Sequence, residues 1–354
     1  MTISAVARSV LKAILPKAAR DLVLRTRSLV RKSLPGRILA LIRAFAYDLR
    51  RFYRHSSAIS GPVSQAKLRA RITIDYHRIE KGLSLPNIRT GFGEAVFHRL
   101  IDSCTGYVQS YGLDRTIAVT LNVLDNYASF RAATDGFPDH LNTGLTGLKQ
   151  LAANYRAVTD EGGTLEYQPA RDNHGIAEHF RNLVLSRHSI RNFTGDSVST
   201  ESISRALELA ARSPSVCNRQ SCGAYCYYGA EEKELLLSFQ NGNTGFGHLA
   251  GAVLLVVSDL SIFTSEAERY QGWIDGGMFA MSLIYALHSA GLGTCCLNWS
   301  ATVSDDLDLR KAVSIRAQDN VIMMIAVGHM PDSLRVANSP RIPLSEVLRN
   351  QPPA

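Results

Sequence analysis

Trp273 to Ala290, then Gly291-Leu292-Gly293, then Thr294-Cys295-Cys296-Leu297-Asn298: this run decides the fold class. Its first part is the longest stretch of helical apolar periodicity in the second half of the chain. The glycines end it where a helix C-cap favours a residue free to adopt positive φ, and a short strand pattern follows at once. Helix and strand joined so tightly imply helices packed on a sheet. Working outward, Ala252 to Ser258 and Val321 to Val327 are apolar runs of mostly Val, Ile, Leu and Met, as expected of buried central strands. Gly223 to Tyr228 reads as another strand. Ala177 to Arg187, Thr200 to Arg212 and Glu231 to Phe239 read as helices, with Ser199 an N-cap for the second. The expectation for residues 174–354 is an α+β domain, a mixed sheet flanked by helices.

Residues 61–173 lack strand character and are expected to form a mostly helical domain. Gln65 to Ile79, Glu94 to Tyr111 and Thr116 to Ala133 carry helical periodicity, and Glu80 to Gly93 is a loop rich in Gly, Pro and Asn. The polar stretch from Asp160 to Asn173 reads as a linker. Residues 1–60 form a third, basic segment, expected to hold two or three helices broken at Pro16 and at Pro35-Gly36. Residues 1–55 hold thirteen Lys and Arg against Asp21 and Asp48, so the net charge of +8 resides there and the remainder is slightly acidic. From Arg37 to Tyr53, Ile38, Leu41, Ile42, Phe45, Leu49 and Phe52 recur at helical spacing. Such a basic amphipathic helix fits two roles: lying on an anionic membrane surface or covering a neighbouring domain.

Several function classes fall away. No uninterrupted apolar run is long enough for a transmembrane helix, and the first residues lack the order of a secretory signal. The expected location is cytoplasmic, with contact to the inner face of the membrane through residues 1–55 left open. Nucleic-acid binding would rest on N-terminal charge alone, without a recognition motif, so none is expected. The six cysteines, at 104, 217, 222, 226, 295 and 296, lack the paired short spacings of a zinc site and are read as reduced thiols. No metal is expected.

Three clusters suit binding of a phosphate and a polar heterocycle. In Ser186-Arg187-His188-Ser189-Ile190-Arg191, the arginines offer planar donor forks to anionic oxygens and Ser189 adds a hydroxyl. In Pro214-Ser215-Val216-Cys217-Asn218-Arg219-Gln220, the Ser, Asn and Gln side chains can hydrogen-bond ring or chain oxygens. The third cluster is Gly328-His329-Met330-Pro331 with Ser339-Pro340-Arg341-Ile342-Pro343. Singly each is weak, but their order, with Gly291-Leu292-Gly293-Thr294 between them, resembles the nitroreductase family of flavoproteins over roughly residues 180 to 350. Ser221 stands where that family usually has proline, and the interval before the long helix is short for a substrate-shaping insertion.

The resemblance implies FMN as cofactor, with NADH or NADPH as electron donor and a small organic acceptor of nitro, quinone or enone type. It places Arg187, His188, Ser189 and Arg341 around the phosphate and ribityl chain, and Arg191 near the pyrimidine end of the ring. Ser215, Asn218 and Gln220 would come from the second subunit of a homodimer. Leu297, Asn298 and Trp299 would lend backbone groups to the ring edge, and Asn243 and Thr244 a further polar contact. No side chain is assigned as catalytic, because the flavin carries the reactivity. Tyr76 to Asn87, with Arg89 and Gly91-Phe92-Gly93, resembles a segment found in longer family members linked to polysaccharide gene clusters. There His77, Glu80 and Lys81 are candidates for contacting substrate as a lid, or for an ordinary helix cap and ion pair. A flavin-binding scaffold without turnover, recruited to a membrane assembly, is the alternative to an enzyme.

Overall fold

The computed structural model describes residues 16, 33–59, 64–153, 161–168 and 174–349. Four strands, β1 (Cys222–Tyr227), β2 (Ala252–Asp259), β3 (Gly293–Asn298) and β4 (Asp319–Gly328), form one sheet in the order β1-β2-β4-β3. All three ladders are antiparallel. The parallel element is one isolated bridge, Ser189 to Thr294, on the outer edge of β3. Every residue of β2 is buried because helices cover both faces of the sheet. The pleat sorts its side chains: Val253, Leu255 and Val257 enter one core with Leu236, Leu237, Leu309 and Met324, while Leu254 and Val256 enter the other with Ile203, Phe279, Leu283 and Leu287. Burying each such side chain contributes about 1.5–3 kcal/mol.

On that second face lie α7 (Thr200–Ala210) and the long α9 (Gln271–Ser289); α8 (Ala230–Leu237) and α10 (Val303–Ala312) cover the first. Gly276 lets α9 approach the sheet closely, for a Cβ there would sit 2.6 Å from Cγ1 of Ile322. The end of α9 follows the expected glycine cap. Gly291 takes φ +77°, its N–H reaches the His288 carbonyl at 3.0 Å, and Leu292 N–H reaches that of Leu287 at 3.0 Å, the paired bonds of a Schellman turn. Ser199 caps α7 by accepting from the Ser202 amide. α6 (His174–Ser186) precedes this domain's first loop, and α11 (Leu344–Val347) lies near the C-terminus.

The helical region has its own core. α2 (Gln65–Leu83), α3 (Glu94–Tyr111), α4 (Arg115–Thr134) and α5 (Asp139–Ala152) enclose Ile72, Phe97, Leu100, Tyr107, Leu124, Tyr127 and Leu145. The described part of the 160–173 stretch lies along this bundle, since Thr164 N–H donates to Asn126 Oδ1 at 3.2 Å. α2 also packs against residues 216–218 and 260–262 of the sheet domain.

The first described helix, α1 (Leu34–His55), starts where Pro35 was expected to break the chain: Ser33 caps it, and Pro35 occupies its first turn, where a missing N–H costs nothing. Residues 1–32, apart from Pro16, lie outside the described residues. α1 reaches the sheet domain through its polar side. Tyr47 Oη donates to Asp306 Oδ2 at 2.6 Å, and Arg51 Nη2 to the Asp319 carbonyl at 2.8 Å. Leu34, Leu41, Phe45 and Leu49 face outward, 58–69% exposed.

Candidate functional site

Residues 187–193 leave α6 and run beside β3. Ile190 N–H donates to the Thr294 carbonyl at 2.8 Å, and Thr194 N–H to that of His329 at 3.0 Å. Glycines permit this closeness: a Cβ on Gly293 would lie 2.8 Å from Met330 Cγ and 3.0 Å from Ile190, and one on Gly328 would lie 2.8 Å from Phe193. The first cluster, the Gly291–Thr294 turn and the Gly328–Met330 part of the third cluster therefore meet at one end of the sheet. Because the Ser189–Thr294 bridge is parallel, Arg187 to Arg191 advance alongside β3. Burial pushes the Cys295 and Cys296 thiols up, and the charges of Arg191 and Arg187 respectively oppose it. Burial pushes the His288 pKa down, and the charges of Arg187 and His188 push it further. Its Nε2 lies 2.8 Å from Ser186 Oγ. Arg187, His188 and Ser189 are half-buried and Arg191 is exposed. Among the described residues, neither Arg187 nor Arg191 has a carboxylate partner. Two guanidinium groups without carboxylate partners beside a hydroxyl are chemically matched to a phosphate-bearing, oxygen-rich ligand.

Farther along β3, Leu297 is a core residue, so only its backbone could face a ligand. Asn298 is exposed; its carbonyl accepts from Gln240 Nε2 at 2.7 Å, and its Nδ2 donates to Ser300 Oγ at 2.6 Å. This brings the 240–244 loop against the end of β3. Thr244 Oγ1 donates to the Asn241 carbonyl at 3.3 Å, and Asn243's carbonyl accepts from Phe246 and Gly247. Trp299 is turned to a structural partner, its Nε1 donating to Asp306 Oδ1 at 3.0 Å.

The 215–220 loop lies elsewhere. It leads into β1, the opposite edge strand, and enters at the end where Cys222 pairs Ser258, away from Gly293 and Gly328. Three sheet spacings, about 14 Å, separate the edge strands. One copy of the chain does not bring Ser215, Asn218 and Gln220 to Arg187. The loop is nonetheless firmly built. Cys217, Asn218 and Gln220 take φ of 49°, 52° and 52°, a left-handed conformation that costs about 1 kcal/mol or more for each such residue. Ser215 Oγ accepts from the Gln220 amide at 2.9 Å. Buried Asp275 of α9 accepts from the Val216 amide at 3.2 Å and is held by Gln271 Nε2 at 2.7 Å. Arg219 is the anchor: its buried guanidinium donates to both Glu268 oxygens, to the Ile262 carbonyl at 2.6 Å and, through Nε, to the Val216 carbonyl at 3.2 Å. Burial alone would raise the Glu268 carboxyl, but Arg219 and the Thr264 amide outweigh it and hold the pKa below its ordinary value. Asn218 and Gln220 are left exposed.

Arg341 stays apart from both clusters. It is exposed, and its Nη1 donates to the Ser339 carbonyl at 2.9 Å, in a tail where Ile342, Leu344 and Val347 are also exposed. His77 Nδ1 lies 3.1 Å from Glu80 Oε2, and Glu80 Oε1 also accepts from the Gly163 amide at 3.1 Å, a structural use of that carboxylate. Lys81 is exposed. Since α2 packs on residues 216–218, these three belong to the helix that backs the 215–220 loop. Among the described residues, no three His, Cys, Asp or Glu side chains gather as a metal site requires, all six cysteines are unpaired, and no helix is long and apolar enough to cross a membrane. Sequence reasoning missed Asp275 and Glu268, whose partners Val216 and Arg219 lie 59 and 49 residues away, and Gln271, which acts through Asp275; only Arg219, placed between two polar ligand candidates, signalled that the loop held a guanidinium.

Residues 184–247 and 238–329 match the model of the nitroreductase family. Among solved structures, a nitroreductase-like protein in complex with FMN from Desulfovibrio desulfuricans is 24% identical over 49% of this chain and 97% of its own, with a TM-score of 0.43. A nitroreductase family protein from Streptococcus pneumoniae is 20% identical over 49% of this chain and 100% of its own, at 0.42. An FMN-dependent nitroreductase from Clostridium difficile is 17% identical over 48% of this chain and 99% of its own, at 0.42. No curated protein sequence matches the chain.

Proposed function

We propose, from the match of residues 184–329 to the nitroreductase family model, that the protein is an FMN-dependent oxidoreductase acting as a homodimer, with NADH or NADPH as donor and a small nitro, quinone or enone compound as acceptor. The observation that carries this is the pair Arg187 and Arg191, held along β3 with His188 and Ser189 and without a carboxylate partner among the described residues. Arg187, His188 and Ser189 bind the cofactor phosphate and its neighbouring hydroxyls. Arg191, exposed beside β3, sets a fixed positive charge that favours a ligand gaining negative charge on reduction. The backbone of Leu297 and Asn298 borders the site, with the 240–244 loop behind it. Bound FMN supplies two-electron redox chemistry; the chain supplies grip, orientation and charge. Ser215, Asn218 and Gln220, remote within one copy, reach the site from a second copy. Arg341, with its exposed apolar tail, does likewise or folds in when a partner is present. His77, Glu80 and Lys81 then lie near the substrate entrance, behind the loop that crosses between copies.

The test is anaerobic mixing of FMN-loaded protein with NADH and, separately, NADPH. Bleaching of the blue flavin absorbance by either, reversed by a quinone or nitroaromatic, is expected. Loaded protein that neither nucleotide reduces would instead be a flavin-binding scaffold without turnover. A second proposal concerns place: the outward apolar side of α1 favours peripheral contact with the inner face of a membrane. Salt-sensitive sedimentation with anionic vesicles is the expected sign.

A further inference from the structure

At the C-terminal end of α1, where it meets α10, lies a cavity of about 460 Å³ walled by Tyr47, Arg50, Arg51, Arg54, His55 and Arg310 together with apolar side chains. No Asp or Glu lines it. Arg51 and Arg310 converge on one acceptor, each donating to the Asp319 carbonyl, at 2.8 and 2.7 Å. Two guanidinium groups so close repel. The carboxylate beside them, Asp306, is already engaged by Tyr47, Trp299 and Arg310 Nε. Arg310 Nη1 is buried with no hydrogen-bond partner, which is unfavourable for a charged group. Burial lowers the Arg51 pKa, and Arg310 lowers it further. Burial likewise lowers that of His55, with Arg51, Arg54 and Arg310 adding. Arg50 and Arg54 have no ion pair among the described residues.

We propose that this cavity is a phosphate site, and that its occupant is the head group of an acidic phospholipid. The cavity's charge selects a compact anion with several oxygens, for which arginine forks are the best-matched donors. The apolar stripe on the same helix selects the lipid source. A helix in a globular protein ordinarily turns its apolar side inward. α1 does the reverse, fixing its polar side to Asp306 and Asp319 while Leu41, Phe45, Leu49 and Tyr53 remain 58–69% exposed. A bilayer surface meets both features, accepting the stripe among acyl chains while presenting phosphate at the stripe's basic flank. This inference rests on the membrane contact proposed above and is independent of flavin binding.

The test uses the full chain and three probes: vesicles of phosphatidylcholine with phosphatidylglycerol, vesicles of phosphatidylcholine alone, and inorganic phosphate. Two variants carry the same change of charge. Arg50→Gln with Arg54→Gln alters the cavity wall; Arg37→Gln with Arg43→Gln alters the same helix outside it. Sedimentation with the anionic vesicles alone is expected, with bound flavin per chain equal in all forms. The cavity variant should bind these vesicles at least tenfold more weakly than the control variant, as loss of one charge-assisted hydrogen bond worth about 1.5 kcal/mol implies. Equal weakening in both variants overturns the phosphate site and leaves general membrane contact standing. Equal sedimentation with neutral vesicles, or none with either, overturns the lipid assignment. Saturable binding of inorganic phosphate by a protein that ignores vesicles also overturns it and makes the cavity a soluble-anion site.

Discussion

Where the chain enters β1, Arg219 is sealed among Glu268, the Ile262 and Val216 carbonyls and the ring of Phe263; at the far corner of the sheet, Arg187 and Arg191 stand without a carboxylate among the described residues. Both regions were candidate ligand clusters by composition. The difference lies in the supply of acceptors. A guanidinium saturated by its own chain is framework, and its removal damages the fold. One left unsaturated is available to something else, and its removal should leave the fold intact. The 215–220 loop contains both kinds of group: Arg219 points in and fixes the backbone, so that Asn218 and Gln220 can be displayed outward in a conformation that would otherwise relax.

The largest expected effect follows from the saturated side. Arg219→Ala leaves Glu268 half-buried without its partner and should cost about 3–5 kcal/mol in denaturant unfolding; a cost below about 1 kcal/mol would erase the contrast. Next, Arg187→Ala and Arg191→Ala should each weaken FMN binding by about 10- to 100-fold, while apoprotein stability stays within about 0.5 kcal/mol of wild type. A large stability loss in either would make that arginine framework after all. Smaller still is the acid response. Glu268 is held below its ordinary pKa of 4.5, so its contribution to stability is present above that pH and is lost as pH falls through the lowered folded value. Melting temperatures measured against pH should fall more steeply on the acid side for wild type than for Glu268→Gln. The smallest effect belongs to Arg341→Gln. With only Ser339 as partner, it should leave stability unchanged and weaken FMN binding about tenfold, provided the tail closes on the site in the dimer.

The same contrast shows what could be read from sequence. The ends of α7 and α9 were legible because capping is local: Ser199 and Gly291 lie within a few residues of the groups they satisfy. Central strands β2 and β4 were legible because burial on both faces leaves an almost unbroken apolar run. α10 was not anticipated; half of its residues are charged, and it is stabilised by a capping box and by distant partners such as Tyr47. The convergence of Arg187, Gly293 and Gly328 was suggested by motif order, but the tight packing that enforces it depends on three-dimensional contacts of Ile190, Phe193 and Met330. For α1, both possible roles were visible in its periodicity, and the direction of its apolar side was not. That direction is set by Asp306 and Asp319, more than 250 residues away.

Titration of purified, folded apoprotein with FMN, followed by blue absorbance and by analytical ultracentrifugation, tests the central claim most directly. Uptake stoichiometric with the chain, by a dimer, and weakened together by Arg187→Ala on one side and Asn218→Ala on the other, is the predicted result. A well-folded chain that stays colourless at saturating FMN, or a monomer that binds it without regard to Asn218, would contradict it.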